Sequence, residues 1–340
     1  MHSNRKQILQ WAESGQIDNA NIGQIIQIAD AEPKLGEWID YLKLGLLWSA
    51  IIAICSGMIF FFAYNWQDIS RFTKFSLVET MMLFATITYI RTAPTKVLTT
   101  ATLMGMSLFT GALLALVGQT YQTGADPWQL FATWALLMLP WAMIGHTSSL
   151  WILWVGLVNL AVSLYLEVSH GIFDILLTEE IRLWIFTILN TGLLCAFEYH
   201  SFINQKKQDN RYVNQLLASA AGTAISFLAI WTIFEYKFEF AGFIFYVIWI
   251  TCAFYIYRYK VRDLFILSMG SLSVIIILVS LLLEVIDTSM DDGGFLLISF
   301  TIIILSTLAG IWLKNLSKQF AQVSNTIEPE ALITANTEAK

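Results

Sequence analysis

Charge is scarce in this chain of 340 residues: Asp, Glu, Lys and Arg together make up 13% of it. A water-soluble domain carries about 25%, so the chain cannot clothe a water-facing surface, and a soluble enzyme is excluded. Basic runs are missing as well and the formal net charge is −6, which excludes a nucleic-acid binder. Cysteine is limited to Cys55, Cys195 and Cys252, each inside an apolar run. That odd, scattered set makes no disulfide framework and has no metal-ligand spacing. His2, His146, His170 and His200 form no HExxH pair, and no GxSxG is present. No cofactor is implied, and an enzyme is the least supported class.

What is present is apolar: 57% of the residues are hydrophobic. A membrane-spanning helix needs about 20 mostly apolar residues, set by hydrocarbon about 30 Å thick and a rise of about 1.5 Å per residue. Ten stretches fit, roughly 44–64, 75–90, 98–118, 128–146, 149–166, 182–199, 215–234, 240–257, 264–285 and 295–313. The fold class expected is therefore all-α, a polytopic membrane helical bundle of about ten spans in contact with the lipid bilayer. The second stretch is short and carries Glu79. The first stretch comes too late for a cleaved signal peptide and is expected to direct insertion itself.

Orientation follows from the lysines and arginines. Of 19, fifteen fall on the side that also holds both termini, and Arg71, Lys74, Arg182 and Lys237 fall on the other. Both termini are thus expected in the cytoplasm. Acids dominate the opposite face, among them Asp68, Asp126, Asp174, Asp287, Asp291 and Asp292. Trp48, Trp66, Trp128, Trp151, Trp184, Trp231 and Trp312 lie near span ends and read as headgroup anchors.

Three divisions are expected: a cytoplasmic helical hairpin over 1–40, a transmembrane bundle over 44–313, and a disordered cytoplasmic tail over 319–340. In the hairpin, Ile22, Ile25, Ile26 and Ala29 recur at helical spacing. That face would dock on the membrane, the spans or a cytoplasmic protein partner. The tail is polar and lacks periodicity.

Polar groups within the spans mark the places that need explanation. Glu79 is the one clear case of an ionisable side chain well inside an apolar stretch, and such a group is a functional-site hypothesis by default. Its structural alternative is snorkelling, or pairing with Lys74 or Arg71. Asn159 and Asn190 lie near the middle of spans five and six, where amides usually bond helix to helix. Pro140, within span four, cannot donate to the Leu136 carbonyl and should loosen that helix. Gly111 and Ala115 on span three, and Ala218, Gly222 and Ser226 on span seven, are small-residue ridges suited to close packing.

The run from Gly118 to Gln129, joining spans three and four, is polar without a basic residue. Asp126, Pro127 and Gln129 fit an N-terminal capping arrangement for span four. Gln119, Tyr121 and Gln122 are left without a role in a simple reversal. Asn65 and Asp68 end span one, Glu79 begins span two, Gln119, Tyr121 and Gln122 end span three, and Asp126 begins span four. Consecutive elements are usually neighbours, so these seven residues are the candidates for one outward-facing polar cavity.

The pieces Leu9-Gln10-Trp11-Ala12-Glu13-Ser14-Gly15-Gln16-Ile17, Ala63-Tyr64-Asn65-Trp66 and Gly118-Gln119-Thr120-Tyr121-Gln122-Thr123-Gly124-Ala125-Asp126 carry a resemblance. Over roughly the first 150 residues the chain resembles the bacterial predicted membrane proteins grouped as domain of unknown function 2157. The resemblance implies a bacterial inner-membrane protein with a cytoplasmic N-terminal segment, and implies no reaction. Function stays open between a transporter or channel for a small polar or cationic solute and a non-catalytic scaffold that holds a partner on its N-terminal hairpin.

Overall fold

The computed structural model describes residues 35–64, 68–92, 96–168, 178–203, 211–235, 240–286 and 292–338. Among them there is no strand, and ten α-helices follow one another: α1 Leu35–Tyr64, α2 Arg71–Thr92, α3 Lys96–Tyr121, α4 Pro127–Gly145, α5 Ser148–Val168, α6 Glu179–Ile203, α7 Arg211–Phe234, α8 Phe240–Tyr255, α9 Leu264–Ile286 and α10 Asp292–Glu338. They coincide in order with the ten apolar stretches, and the all-α membrane bundle is borne out. Eight helices, α3 to α10, are long and apolar enough to cross a membrane.

Helix starts follow local chemistry. The Ser70 hydroxyl accepts the Thr73 N–H at 3.2 Å and opens α2, ahead of the expected start at 75, because a capping serine satisfies a donor that the first turn leaves orphaned. Thr178 opens α6, where its hydroxyl accepts the Ile181 N–H at 3.4 Å. Glu179 and Glu180 follow in the first turn, where acids favour the helix dipole. Asp263 opens α9 by accepting the N–H groups of Phe265 and Ile266 at 2.8 and 3.3 Å.

Two boundaries differ from expectation. Residues 35–40, assigned to the N-terminal hairpin, are the first turns of α1; residues 1–34, which carry the rest of that hairpin, lie outside the described residues. At the other end α10 runs to Glu338, through a stretch expected to lack regular structure. A helix already formed in the bilayer supplies the nucleus, and extension then adds one hydrogen bond per residue fixed.

The chain divides into two units, Met1–Leu116 and Val117–Lys340. In the first, Val78 of α2 packs with Phe109 and Leu116 of α3, with Phe75, Met82 and Leu113 around them. In the second, α7 is the axis and touches α5, α6, α8 and α9. Its buried face includes Val213, Leu217, Ala218, Ala221, Ile225, Leu228, Ala229 and Ile233, so the ridge of small side chains lets neighbouring backbones approach.

Parts of five helices, near their ends, and the middle of α10 meet on one side of this second unit. Val155 of α5, Leu194 of α6, Val213 and Leu217 of α7, Tyr257 beyond α8, Ile266 of α9 and Leu316 of α10 form one buried cluster. These are the ends that an alternating thread from α5 to α10 assigns to one face. At the opposite side Trp128 and Tyr165 meet edge to face at 5.1 Å, joining the start of α4 to the end of α5.

Two of the tryptophans near span ends also pack between helices. Trp151 packs edge-on against Trp154 and Phe197, at 5.7 and 5.0 Å, and Trp312 lies 5.7 Å from Phe254. Both rings are half-buried against the cluster, since a large ring gains from packing on several helices at once. Trp154 donates its indole N–H to the Ala135 carbonyl at 3.1 Å, one residue from the Leu136 carbonyl that Pro140 leaves without a donor.

Candidate functional site

The polar passage between α3 and α4 begins with a helix terminus. The Thr123 N–H reaches back to the Gly118 carbonyl at 3.4 Å, and Gln122 takes the left-handed conformation with φ +44°. That is the six-to-one closure of a helix C-terminus, in which the left-handed position normally belongs to glycine. An L residue there is disfavoured by about 1–2 kcal/mol. Gly124 follows, also left-handed at φ +64°, where no strain attaches. Two left-handed residues, Gln122 and Gly124 with Thr123 between them, therefore turn the chain from α3 into α4.

Asp126 then occupies the N-cap position with φ −63° and ψ 149°, and Pro127 is the first helical residue. Its backbone carbonyl accepts the Gln129 N–H at 3.0 Å, but its carboxylate makes no capping bond. The expected capping box is thus formed by backbone alone. Proline at the first helical position already presets φ and removes one of the orphan donors, which lowers the need for a side-chain cap. Gln119, Tyr121, Gln122 and Asp126 are all exposed, and a carboxylate not consumed by the turn is left facing outward.

Of the remaining candidates, Asp68 is exposed in the turn before α2, and Glu79 is exposed on α2 about 12 Å of helix from its start at Arg71. Both belong to the first unit, while Gln119, Tyr121, Gln122 and Asp126 belong to the second. Lys74, offered as a pairing partner for Glu79, is buried. Asn65 lies outside the described residues.

The amides of spans five and six meet as expected. Asn159 donates to the Asn190 side-chain oxygen at 3.1 Å, and Asn190 donates back to Asn159 at 2.8 Å. Their second protons go to the Val155 and Phe186 carbonyls of their own helices, at 2.9 and 3.0 Å. Asn190 is almost wholly buried. Every donor of the pair is used, so it holds α5 to α6 and leaves no donor for a ligand.

A second polar constellation, not singled out from the sequence, caps the six-helix end. Asp263, 4% exposed, forms an ion pair with Arg211 at the start of α7. It accepts the Gln215 amide at 3.1 Å as well as the two N–H groups that open α9. Beside it a π-turn over Ile256–Lys260 carries α8 onward, and the buried Tyr257 donates to Glu198 of α6 at 3.0 Å. The extra residue of a π-turn rotates the side chains that follow it relative to an α-helix. Part of this was readable: Asp263 before the apolar run Leu264-Phe265-Ile266-Leu267 is a capping signal. Its pairing with Arg211 joins positions far apart along the chain.

Cys195 and Cys252 are free and exposed on α6 and α8. Among the described residues no three potential metal ligands come together.

Residues 9–151 match the family model described as Predicted membrane protein (DUF2157). The resemblance carried by the N-terminal motifs is borne out over that stretch, which reaches from before α1 into the start of α5. No curated protein and no solved structure matches the chain.

Proposed function

We propose that this membrane protein lies in the bacterial inner membrane with both termini in the cytoplasm, and that it passes a small polar or cationic solute which it meets at the α3–α4 turn. The observation that carries this reading is the state of Asp126. A carboxylate at an N-cap is ordinarily consumed by the helix it opens, and here it is exposed and unspent. Gln122 supports it, since a glutamine held left-handed where glycine would relax is a cost that a functional side chain accounts for. An acidic outer face with few bases would raise the local concentration of a cation. The sequence-level expectation that Asn65, Asp68 and Glu79 share this surface rests on the alternating thread alone.

Proteoliposomes with ion- and solute-sensitive dyes test the activity. The expected result is a flux that Asp126→Asn and Gln122→Ala each reduce at unchanged expression; a sealed bilayer under a broad cation and solute screen sinks the reading. Coupling between Glu79→Gln and Gln119→Ala in a double-mutant cycle of that flux would bring Glu79 into the same surface, and strict additivity would remove it. Sidedness has its own check: reporters fused after Asp126, Asp174 or Asp291 should read outside, and after Lys207, Arg262 or Lys318 inside. The scaffold alternative depends on residues 1–34, and a pull-down whose partner list is the same with and without them would eliminate it.

A further inference from the structure

Between α7, α8 and α9 lies a cavity of about 260 Å³. Close-packed interiors rarely leave a void larger than a water molecule, so a space of this size needs an occupant or a reason. Its walls are aromatic and aliphatic, with Phe227, Trp249 and Phe254 among them, and no charged side chain lines it. A Cβ at Gly270 would come to 3.0 Å from the Phe254 ring, so glycine there lets the ring lie close against α9. Toward the surroundings the cavity is bordered by exposed side chains of α7 and α9, namely Thr223, Phe227, Leu272 and Ile276. In a membrane bundle such a rim faces lipid.

The polar part of the wall is a chain of three hydroxyls whose protons can be followed one by one. Ser226 lies 2.5 Å from the Gly222 carbonyl, which can only accept, so Ser226 donates there. Ser226 and Ser273 are 2.6 Å apart; with the Ser226 proton committed, Ser273 donates to Ser226. Tyr246 and Ser273 are 2.9 Å apart, and the Ser273 proton is now used, so Tyr246 donates to Ser273. Among the other donors of the wall, Ser219 bonds the Gln215 carbonyl at 2.8 Å and the Trp249 indole bonds Thr191 at 3.1 Å, while the Thr223 hydroxyl stands at the exposed rim, outside the interior.

What remains in the interior is acceptance. A hydroxyl oxygen has two lone pairs, and Ser226 and Ser273, both on the wall, each have one in use. The interior therefore accepts a hydrogen bond and has none to give. That disfavours ketones, esters and quinones, which can only accept. The absence of charge from the wall disfavours carboxylates, phosphates and protonated amines, because a buried ion without a partner is costly. An alcohol or phenol satisfies every term: it donates one hydrogen bond and needs no counter-charge.

Depth and size narrow the class further. Ser273 lies about 14 Å of helix from the start of α9, and Ser226 about 12 Å from the end of α7. Both are near the middle of hydrocarbon about 30 Å thick, so the ligand arrives from the bilayer. A cavity of about 150 Å³ takes up benzene, and this one has room for a two-ring body or about ten carbons. We infer that the α7–α8–α9 cavity is a binding site for a neutral, lipid-soluble alcohol, whose hydroxyl donates to the Ser226–Ser273 pair while its apolar body lies among Phe227, Trp249 and Phe254.

The full-length protein in phosphatidylcholine nanodiscs tests this with radiolabelled 2-naphthol, protein-free nanodiscs being subtracted. The expected result is saturable binding at one site per chain, with 2-methoxynaphthalene, which has the same rings and no donor, competing at least tenfold more weakly. Ser273→Ala should bring the two compounds within about threefold of each other. If that variant does not fold, Ile276→Trp at the exposed rim serves, since a larger ring there displaces no packed neighbour and, lying across the mouth, should abolish saturable binding. Binding no greater than in empty nanodiscs, equal competition by the methyl ether, or retention of saturable binding in a folded Ile276→Trp variant would each overturn the assignment.

Discussion

The two polar regions of the second unit differ in what their side chains are committed to. At the six-helix end Asp263 is buried and engaged with Arg211, Gln215 and two backbone donors. At the α3–α4 turn Asp126 is exposed and its carboxylate caps nothing. Each aspartate immediately precedes or nearly precedes an apolar helix, and in sequence both read as caps. Only one is. A polar group whose capacity is fully used holds the bundle together, and a polar group left unused is where a solute can be met.

That contrast can be broken by mutation. The largest effect is expected at Asp263→Ala, which leaves Arg211 without its buried partner and α9 without its cap; removing one member of a buried pair costs about 3–5 kcal/mol. Thermal unfolding in nanodiscs should show a large loss, and a loss under about 1 kcal/mol would mean that the pair is solvated and the two regions are alike.

Next is Asn190→Leu, which strands Asn159 in the α5–α6 contact and should cost about 1–2 kcal/mol, the range of interhelical amide bonds in membranes. The double variant Asn159→Leu with Asn190→Leu should recover part of it, as the stranded amide is gone. A double variant worse than both singles would show that the pair gives more than mutual satisfaction.

At the turn, the signs differ. Gln122→Gly should stabilise by about 0.5–1 kcal/mol, since glycine accepts the left-handed conformation and gives back part of the gain as chain entropy. Under the solute reading the same change should lower flux while raising stability. The smallest effect is expected at Asp126→Ala, below about 0.5 kcal/mol, against about 0.5–2 kcal/mol for a working side-chain cap. A loss in that higher range would show a capping carboxylate in solution and remove the contrast with which these variants began.

Much of the architecture was legible because its causes are local. Apolar runs of bilayer length place the helices from neighbouring residues alone, while the caps at Ser70, Thr178 and Asp263 move the starts by a few residues. The Asn159–Asn190 pairing was also within reach, because two amides at similar depth in consecutive antiparallel spans have few other partners in hydrocarbon. The candidate turn was recognised by composition, yet the part played by each residue in it was not. Gln122 was left unassigned because a left-handed glutamine has no composition signal, and Asp126 was assigned a cap that Pro127 makes dispensable. The packing of Trp151 and Trp312 went unread for a similar reason: closeness to a span end says nothing about which other helices reach the same depth.

Length and hydrophobic pattern by themselves determined that the chain is a membrane bundle and where its helices lie. Each of these depends on solvent transfer and on hydrogen bonds within one helix. The tertiary structure alone decided which polar groups are spent. Arg211 with Asp263, Tyr257 with Glu198, and Tyr246 through Ser273 to Ser226 join residues that stand far apart along the chain. A hydrogen bond between helices forms only when one helix brings an acceptor within about 3 Å of a donor on another, and that distance is set by how helices pack, not by any one stretch of sequence.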